Sequence, residues 1–238
     1  MNTAFEELNW QPNTKILVVL AHPDDPEFFM GGTLAYWHSL GFHIDYLLLT
    51  QGGLGQSEAF SDEAALKVIR RAEQRAAADV IGVHDVSFFD EPDGFLANSL
   101  ELQRDLVRHI RALKPDIVVS SDPTLYYRGT RLNHHDHRMA GQIVAEAVFP
   151  AARNDGFFPE LKEEGYPAHN VKELWFSLSK DPNMTLDVSA FWDTRIQALK
   201  EHRSQIQDIE QLERYLRHFA NELHGEGKYL EYFRRLVF

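Results

Sequence analysis

The chain has no cysteine, so neither a disulfide nor a cysteine-caged structural zinc can hold its fold. It also has no apolar run approaching the roughly 20 residues that span a bilayer, and hence no integral membrane segment. Residues 1–14 are polar and acidic and lack the basic-then-apolar form of a secretory signal. Basic residues are the minority: 24 Lys and Arg face 36 Asp and Glu, a formal charge of −12. Nucleic acid demands a basic footprint and anionic membrane surfaces repel such a chain, so neither partner is expected. Together these absences predict a soluble, cytoplasmic protein.

The hydrophobic content of 44% in 238 residues is enough for one sizeable core, and 1–238 is expected to form a single domain. Short apolar runs at Lys15–Ala21, Ile44–Thr50, Val86–Phe89, Ile117–Ser121, Leu174–Leu178 and Thr185–Val188 read as strands. Helical patterns at Met30–Leu40, Asp62–Ile81, Leu100–Leu113, Ala140–Phe149 and most of Phe191–Glu222 separate them. This alternation predicts an α/β fold, a three-layer Rossmann-like and mostly parallel sheet with helices on both faces. Ala151–Asn170, rich in Gly, Pro and charge, reads as an excursion or lid. The loop Gln51–Gln56 lacks the spacing of a phosphate-binding loop and is expected to shape a pocket wall.

Chemistry concentrates at two places. The first strand runs straight into His22-Pro23-Asp24-Asp25, where proline stops the ladder and leaves one imidazole and two carboxylates at the strand's carboxyl end. In open α/β sheets that edge is where ligands bind. His22 and Asp25 could both bind a metal, leaving Asp24 to handle protons. The second place is His134-His135-Asp136-His137, ahead of a helical segment, where His134 and His137 would share one face of the first turn. Together the two clusters supply three ligands and leave one position open, as catalytic zinc sites do.

These motifs resemble those of the PIG-L/LmbE-like family of zinc-dependent N-deacetylases. The first family motif is matched by Ala21-His22-Pro23-Asp24-Asp25-Pro26-Glu27 with Gly31-Gly32-Thr33-Leu34. The second is matched by His134-His135-Asp136-His137, with His135 where the family usually has proline. Arg70-Arg71-Ala72-Glu73, Ile81-Gly82-Val83 and Ala198 to Gln205, including His202, match further family signatures. The resemblance implies a Zn2+ ion, with Fe2+, Co2+ or Ni2+ as alternatives that suit the same donors. It makes His22, Asp25 and His137 the metal ligands, Asp24 the general base and His134 the acid or oxyanion-stabilising group. Asp136 would hydrogen-bond His134 and keep it protonated. The implied reaction removes the N-acetyl group of an N-acetylglucosaminyl conjugate by attack of a zinc-bound water. Family members form trimers or hexamers, so a homo-oligomer is implied as well.

Arg70 could pin a substrate group or pair structurally with Glu73 and Asp90. Tyr127 could offer a sugar-stacking surface, and Arg128 and Arg131, with Arg138, could attract an anionic substrate tail. Two other functions fit part of the pattern. A metal-dependent phosphohydrolase would use the His135-Asp136 pair, but its all-helical fold has no place for the strand before His22. A metal-bound carbohydrate-binding protein without turnover would leave Asp24 no purpose. An amidase acting on a larger N-acyl glucosamine conjugate shares every motif.

Overall fold

The computed structural model describes residues 10–55 and 62–238; residues 1–9 and Gln56 of the glycine loop lie outside them. The chain runs β1 (Lys15–Leu20), α1 (Asp25–Ser39), β2 (His43–Thr50), α2 (Glu63–Ile81), β3 (Asp85–Glu91), α3 (Leu100–Leu113), β4 (Ile117–Ser121) and a small hairpin of β5 (Tyr127–Arg128) and β6 (Arg131–Leu132). It continues through α4 (His135–Glu146), α5 (Pro159–Glu163), β7 (Glu173–Ser177), β8 (Met184–Asp187), α6 (Trp192–Leu199), α7 (Ile209–His224) and β9 (Leu230–Val237).

Seven strands form one sheet in the order β3-β2-β1-β4-β7-β9-β8. β3, β2, β1, β4 and β7 are parallel, while β9 runs antiparallel to both β7 and β8. The central strand shows why an apolar run without polar alternation belongs here. Ile16, Val18 and Leu20 pack into a core on the α1, α2 and α6 side, and Leu17 and Val19 into a second core on the α3 and α4 side. A strand covered on both faces is apolar throughout. The three-layer architecture and the mostly parallel sheet are as the sequence predicts. No helix among the described residues is long and apolar enough to cross a membrane.

Three segments differ from the sequence reading. The first helix starts at Asp25, five residues before Met30, because Pro26 is compatible with a first helical turn. It bends at Met30 (φ −154°, ψ 24°). Glu231 accepts from the Gly32 and Thr33 amides (3.1 and 2.8 Å), and Arg195 donates to the Glu27 and Phe28 carbonyls (3.0 and 2.6 Å). The segment 191–222 is two helices, broken at 200–208. The strand β9 has no counterpart in the sequence reading, because Glu231, Arg234 and Arg235 interrupt its apolar pattern. Two of those charges are structural: Glu231 serves the bend in α1, and Arg235 grips Glu173 through both carboxylate oxygens (2.8 and 2.6 Å).

Residues 151–170 form an excursion between α4 and β7. Arg111 on α3, fully buried, donates to the carbonyls of Ala151, Ala152, Asn154, Phe157 and Tyr166 and fastens it down. At the opposite side of α4, Gly141 lies so close to the Ser121 carbonyl at the end of β4 that a β-carbon would collide with it.

Candidate active site

Both halves of the site meet at the carboxyl edge of the sheet. β1 ends at Leu20 and delivers His22; α1 begins at Asp25. Between them Asp24 adopts a left-handed conformation (φ 88°), uncommon for a residue with a side chain. Asp24 therefore sits in a turn and Asp25 at the start of the helix. β4 leads through the β5–β6 hairpin to α4, whose first turn carries His137 and whose N-cap is His134.

A cavity of about 340 Å³ is lined by His22, Asp24, Asp25, Arg70, Asp93, His134 and His137, with Phe28, Phe29, Leu54, Gly55 and Gly94. Ring nitrogens of His22, His134 and His137 all lie within 4.8 Å of one another. Asp25 reaches two of these rings, with Oδ1 3.0 Å from Nε2 of His137 and Oδ2 3.5 Å from Nδ1 of His22.

The remaining ring nitrogens are already committed. Nε2 of His22 stands 3.1 Å from carboxylate oxygens of both Asp93 and Asp136. Nδ1 of His137 donates to Oδ1 of Asn133 (3.2 Å). Nδ1 of His22, the Asp25 carboxylate and Nε2 of His137 remain as donors that could hold a metal ion, with Nε2 of His134 beside them. Carboxylate or amide partners behind each histidine are the usual support of a metal-bound imidazole. Electrostatics point the same way. Burial lowers the pKa of His22, but hydrogen bonds with Asp136, Asp25 and Asp93 outweigh it and push it up to about 12. Burial raises the pKa of Asp25, but the facing His137 and His22 hold it well below the carboxylate range. Such a pocket calls for positive charge, and a divalent ion fits its donors.

Asp136 does not touch His134 with its carboxylate, contrary to the sequence reading. It is fully buried and accepts from the Gly94 and Leu96 amides (2.7 and 3.2 Å) as well as facing His22. Only its backbone N–H meets His134, donating to Nδ1 at 3.1 Å, so the hydrogen of a neutral His134 sits on Nε2. Partial burial, then the charges of His22 and His137, lower the pKa of His134. This shift is opposite in direction to the raised pKa that the sequence reading expects. His135 turns away and donates from Nε2 to the Leu96 carbonyl (3.1 Å).

Arg70 contacts neither Glu73 nor Asp90. It donates to the Gly52 and Pro23 carbonyls (2.9 and 2.6 Å) and to Asp24 (3.0 Å). Gly52, at φ +67°, leaves room for this guanidinium where a β-carbon would overlap it, and Leu54 and Gly55 of the same loop form cavity wall. Burial pushes the pKa of Asp24 up to about 6 against the pull of Arg70. Tyr127, Arg128 and Arg131 sit on the exposed hairpin outside this cavity. Arg128 donates to the Leu178 and Ser179 carbonyls (3.2 and 3.3 Å). Arg131 donates to the Tyr215 hydroxyl (3.2 Å) and lines an adjoining cavity of about 650 Å³ that shares Phe28 with the first.

Residues 17–148 match the PIG-L family, described as GlcNAc-PI de-N-acetylase. The chain belongs to the PIG-L family. Diacetylchitobiose deacetylase of Thermococcus kodakarensis is 32% identical over 208 residues, covering 87% of this chain and 76% of that one. N,N'-diacetylchitobiose deacetylase from Pyrococcus horikoshii, in complex with its inhibitor MPG, superposes with a TM-score of 0.85 at 29% identity, covering 94% of this chain and 84% of that one. GalB, the 4-carboxy-2-hydroxymuconate hydratase of Pseudomonas putida KT2440, superposes with a TM-score of 0.74 at 22% identity, covering 94% and 96%, a likeness of fold. The resemblance read from the two histidine motifs is borne out.

In this PIG-L chain the sequence reading missed two supporting residues, Asp93 and Gln74, and gave Glu27 and His202 only as parts of family motifs. Asp93 faces His22 and accepts from the Leu54 amide (2.8 Å), in a Pro92-Asp93-Gly94 stretch that reads as a plain turn. Gln74 accepts from the Asp24 amide (2.7 Å) and donates to Glu27, whose carboxylate also meets Nε2 of His202 (3.1 Å). The one available signal for Asp93 was its position just beyond the carboxyl end of a strand.

Proposed function

We propose that this PIG-L chain is a metal-dependent amide hydrolase that removes the N-acetyl group from an N-acetylglucosaminyl conjugate, leaving a free amine and acetate. The observation that carries this reading is the convergence of Nδ1 of His22, the Asp25 carboxylate and Nε2 of His137 on one cavity, with every other nitrogen of those two rings committed elsewhere. Two imidazoles and one carboxylate suit Zn2+ and leave a position open, while Fe2+, Co2+ and Ni2+ accept the same donors. A divalent ion held there would acidify water and polarise the acetamide carbonyl.

The chain's own groups divide the remaining work. Asp24 lines the cavity, takes the proton of the attacking water and returns it to the departing amine as the C–N bond breaks. Arg70 and Gln74 hold it in its left-handed conformation. His134 donates from Nε2 to the carbonyl oxygen as charge gathers there, a type of contact worth about 3–4 kcal/mol in a transition state. Asp136 and Asp93 orient His22. Phe28, shared by the two cavities, and Arg131 line the route along which the part of the conjugate beyond C1 would extend. Binding energy gained there can lower the barrier at the amide.

The test is acetate release from metal-stripped and zinc-reloaded protein, offered diacetylchitobiose and N-acetylglucosaminyl conjugates with neutral and anionic aglycones. Turnover of at least one conjugate, dependent on added metal, is expected. No acetate from any of them, with or without metal, would overturn the proposal.

A further inference from the structure

A second group of side chains of metal-ligand type lies at the other edge of the sheet. His43 opens β2, Asp45 follows on the same face, and His84 precedes β3, whose Asp85 is level with Asp45 in the parallel register. Oδ1 of Asp45 is 2.9 Å from Nδ1 of His84 and Oδ2 is 3.3 Å from Nε2 of His43. The two imidazole centroids are 3.9 Å apart, and one donor atom from each residue lies within 4.8 Å of the others. The length of β2 separates this cluster from the His22 cavity by about 20–25 Å.

The Asp45 carboxylate is not satisfied by the protein alone. Asp45 is 4% exposed, yet its Oδ2 is buried without a hydrogen bond. Leaving a carboxylate oxygen without a partner in the interior is costly. The His43 contact does not supply one, since charge-assisted N–H···O bonds are about 2.7–2.9 Å long and well aligned. Two atoms bound to one tetrahedral ion at about 2.0–2.1 Å stand about 3.3 Å apart, as His43 and Asp45 do. We propose that His43, Asp45 and His84 bind a transition-metal ion, Zn2+, Ni2+ or Cu2+, at a second centre independent of the His22 cavity. Imidazole-rich donors select these ions over Mg2+ and Ca2+. His84 is open to solvent, so water completes the coordination. The ion ties the turn after α2 to the start of β2.

Zinc titration of the untagged, metal-stripped chain, with metal analysis after dialysis, tests this. His84→Ala is expected to bind one equivalent fewer than the parent, and His43→Gln likewise. His22→Ala is expected to lose a different equivalent, so that His22→Ala with His84→Ala binds none. Excess Mg2+ should displace nothing from the His84-dependent centre. Thermal melts without metal confirm that each variant folds; the His84 ring is 64% exposed and its loss leaves the core intact. Equal zinc stoichiometry in the parent, His84→Ala and His43→Gln would overturn the proposal, and the three residues would then be an ion pair only. Failure of the His22 centre would instead show as His22→Ala matching the parent, so the two readings fail separately.

Discussion

Asp136 lies 3.1 Å from Nε2 of His22, a residue 114 positions earlier, although His134 is its near neighbour in the chain. The two halves of the site are therefore linked by a carboxylate–imidazole contact behind the cavity, and Asp136 is expected to act on metal binding through the ring it orients.

Asp136→Asn is accordingly expected to weaken metal affinity by about 10–100-fold, the usual effect of removing such a support. Competition with a chromophoric chelator measures it. Unchanged affinity would show that His22 needs no such partner.

Asp24→Asn should retain the metal and lower kcat by roughly 10²–10⁴-fold, the contribution typical of a positioned general base. Steady-state acetate release, with metal content measured on the same preparation, separates the two effects. A variant that turns over normally would remove Asp24 from the chemistry.

Arg70 donates to Gly52, Pro23 and Asp24, and is therefore expected to position Asp24. Lysine cannot reproduce that fork. Arg70→Lys should lower kcat by roughly 10²-fold through misplacement of Asp24, with KM little changed. A raised KM at constant kcat would instead mark Arg70 as a substrate contact.

Away from the site, Glu173 is expected to contribute to the pH dependence of stability. Burial would raise its pKa, but Arg235 and the indole N–H groups of Trp175 and Trp10 reverse this and hold it below its ordinary 4.5. A depressed carboxylate pKa gives stability that is complete above the unfolded value and fades as pH falls through the folded one. Urea unfolding should show Glu173→Gln less stable than the parent at pH 7, by at most about 3 kcal/mol because Arg235 keeps some contact with water. The gap should narrow below pH 4.5. A gap that stays constant down to pH 3 would assign the loss to packing.

The β1, β2 and β4 strands were legible because strands covered on both faces need unbroken apolar runs. The paired clusters at His22 and His134 were legible because ligand-type residues are dense there. β9 was not, since its charges are spent on Glu173 and on the bend of α1, contacts set by tertiary packing. The partner of Asp136 was equally hidden. Sequence proximity favoured His134, while the helix geometry of α4 turns the carboxylate inward to His22 and to the amides of Gly94 and Leu96. Asp93, Gln74 and Glu27 have ordinary local surroundings and acquire their roles only where the loop after β3 and the helices α2 and α1 converge.

Gly141 gives the site a property that no ligand residue provides. Its bare backbone rests on the Ser121 carbonyl, so α4 is seated closely against the end of β4, where the Ser121 hydroxyl also donates to the His137 carbonyl. His134 and His137 travel with α4, whereas His22 and Asp25 travel with β1, the neighbour of β4. The gap across the cavity is thus gauged in part by a backbone-on-backbone stop. A single methyl group there would act as a wedge, prising the histidine pair away from its counterpart while leaving every coordinating and proton-handling residue in the chain unaltered.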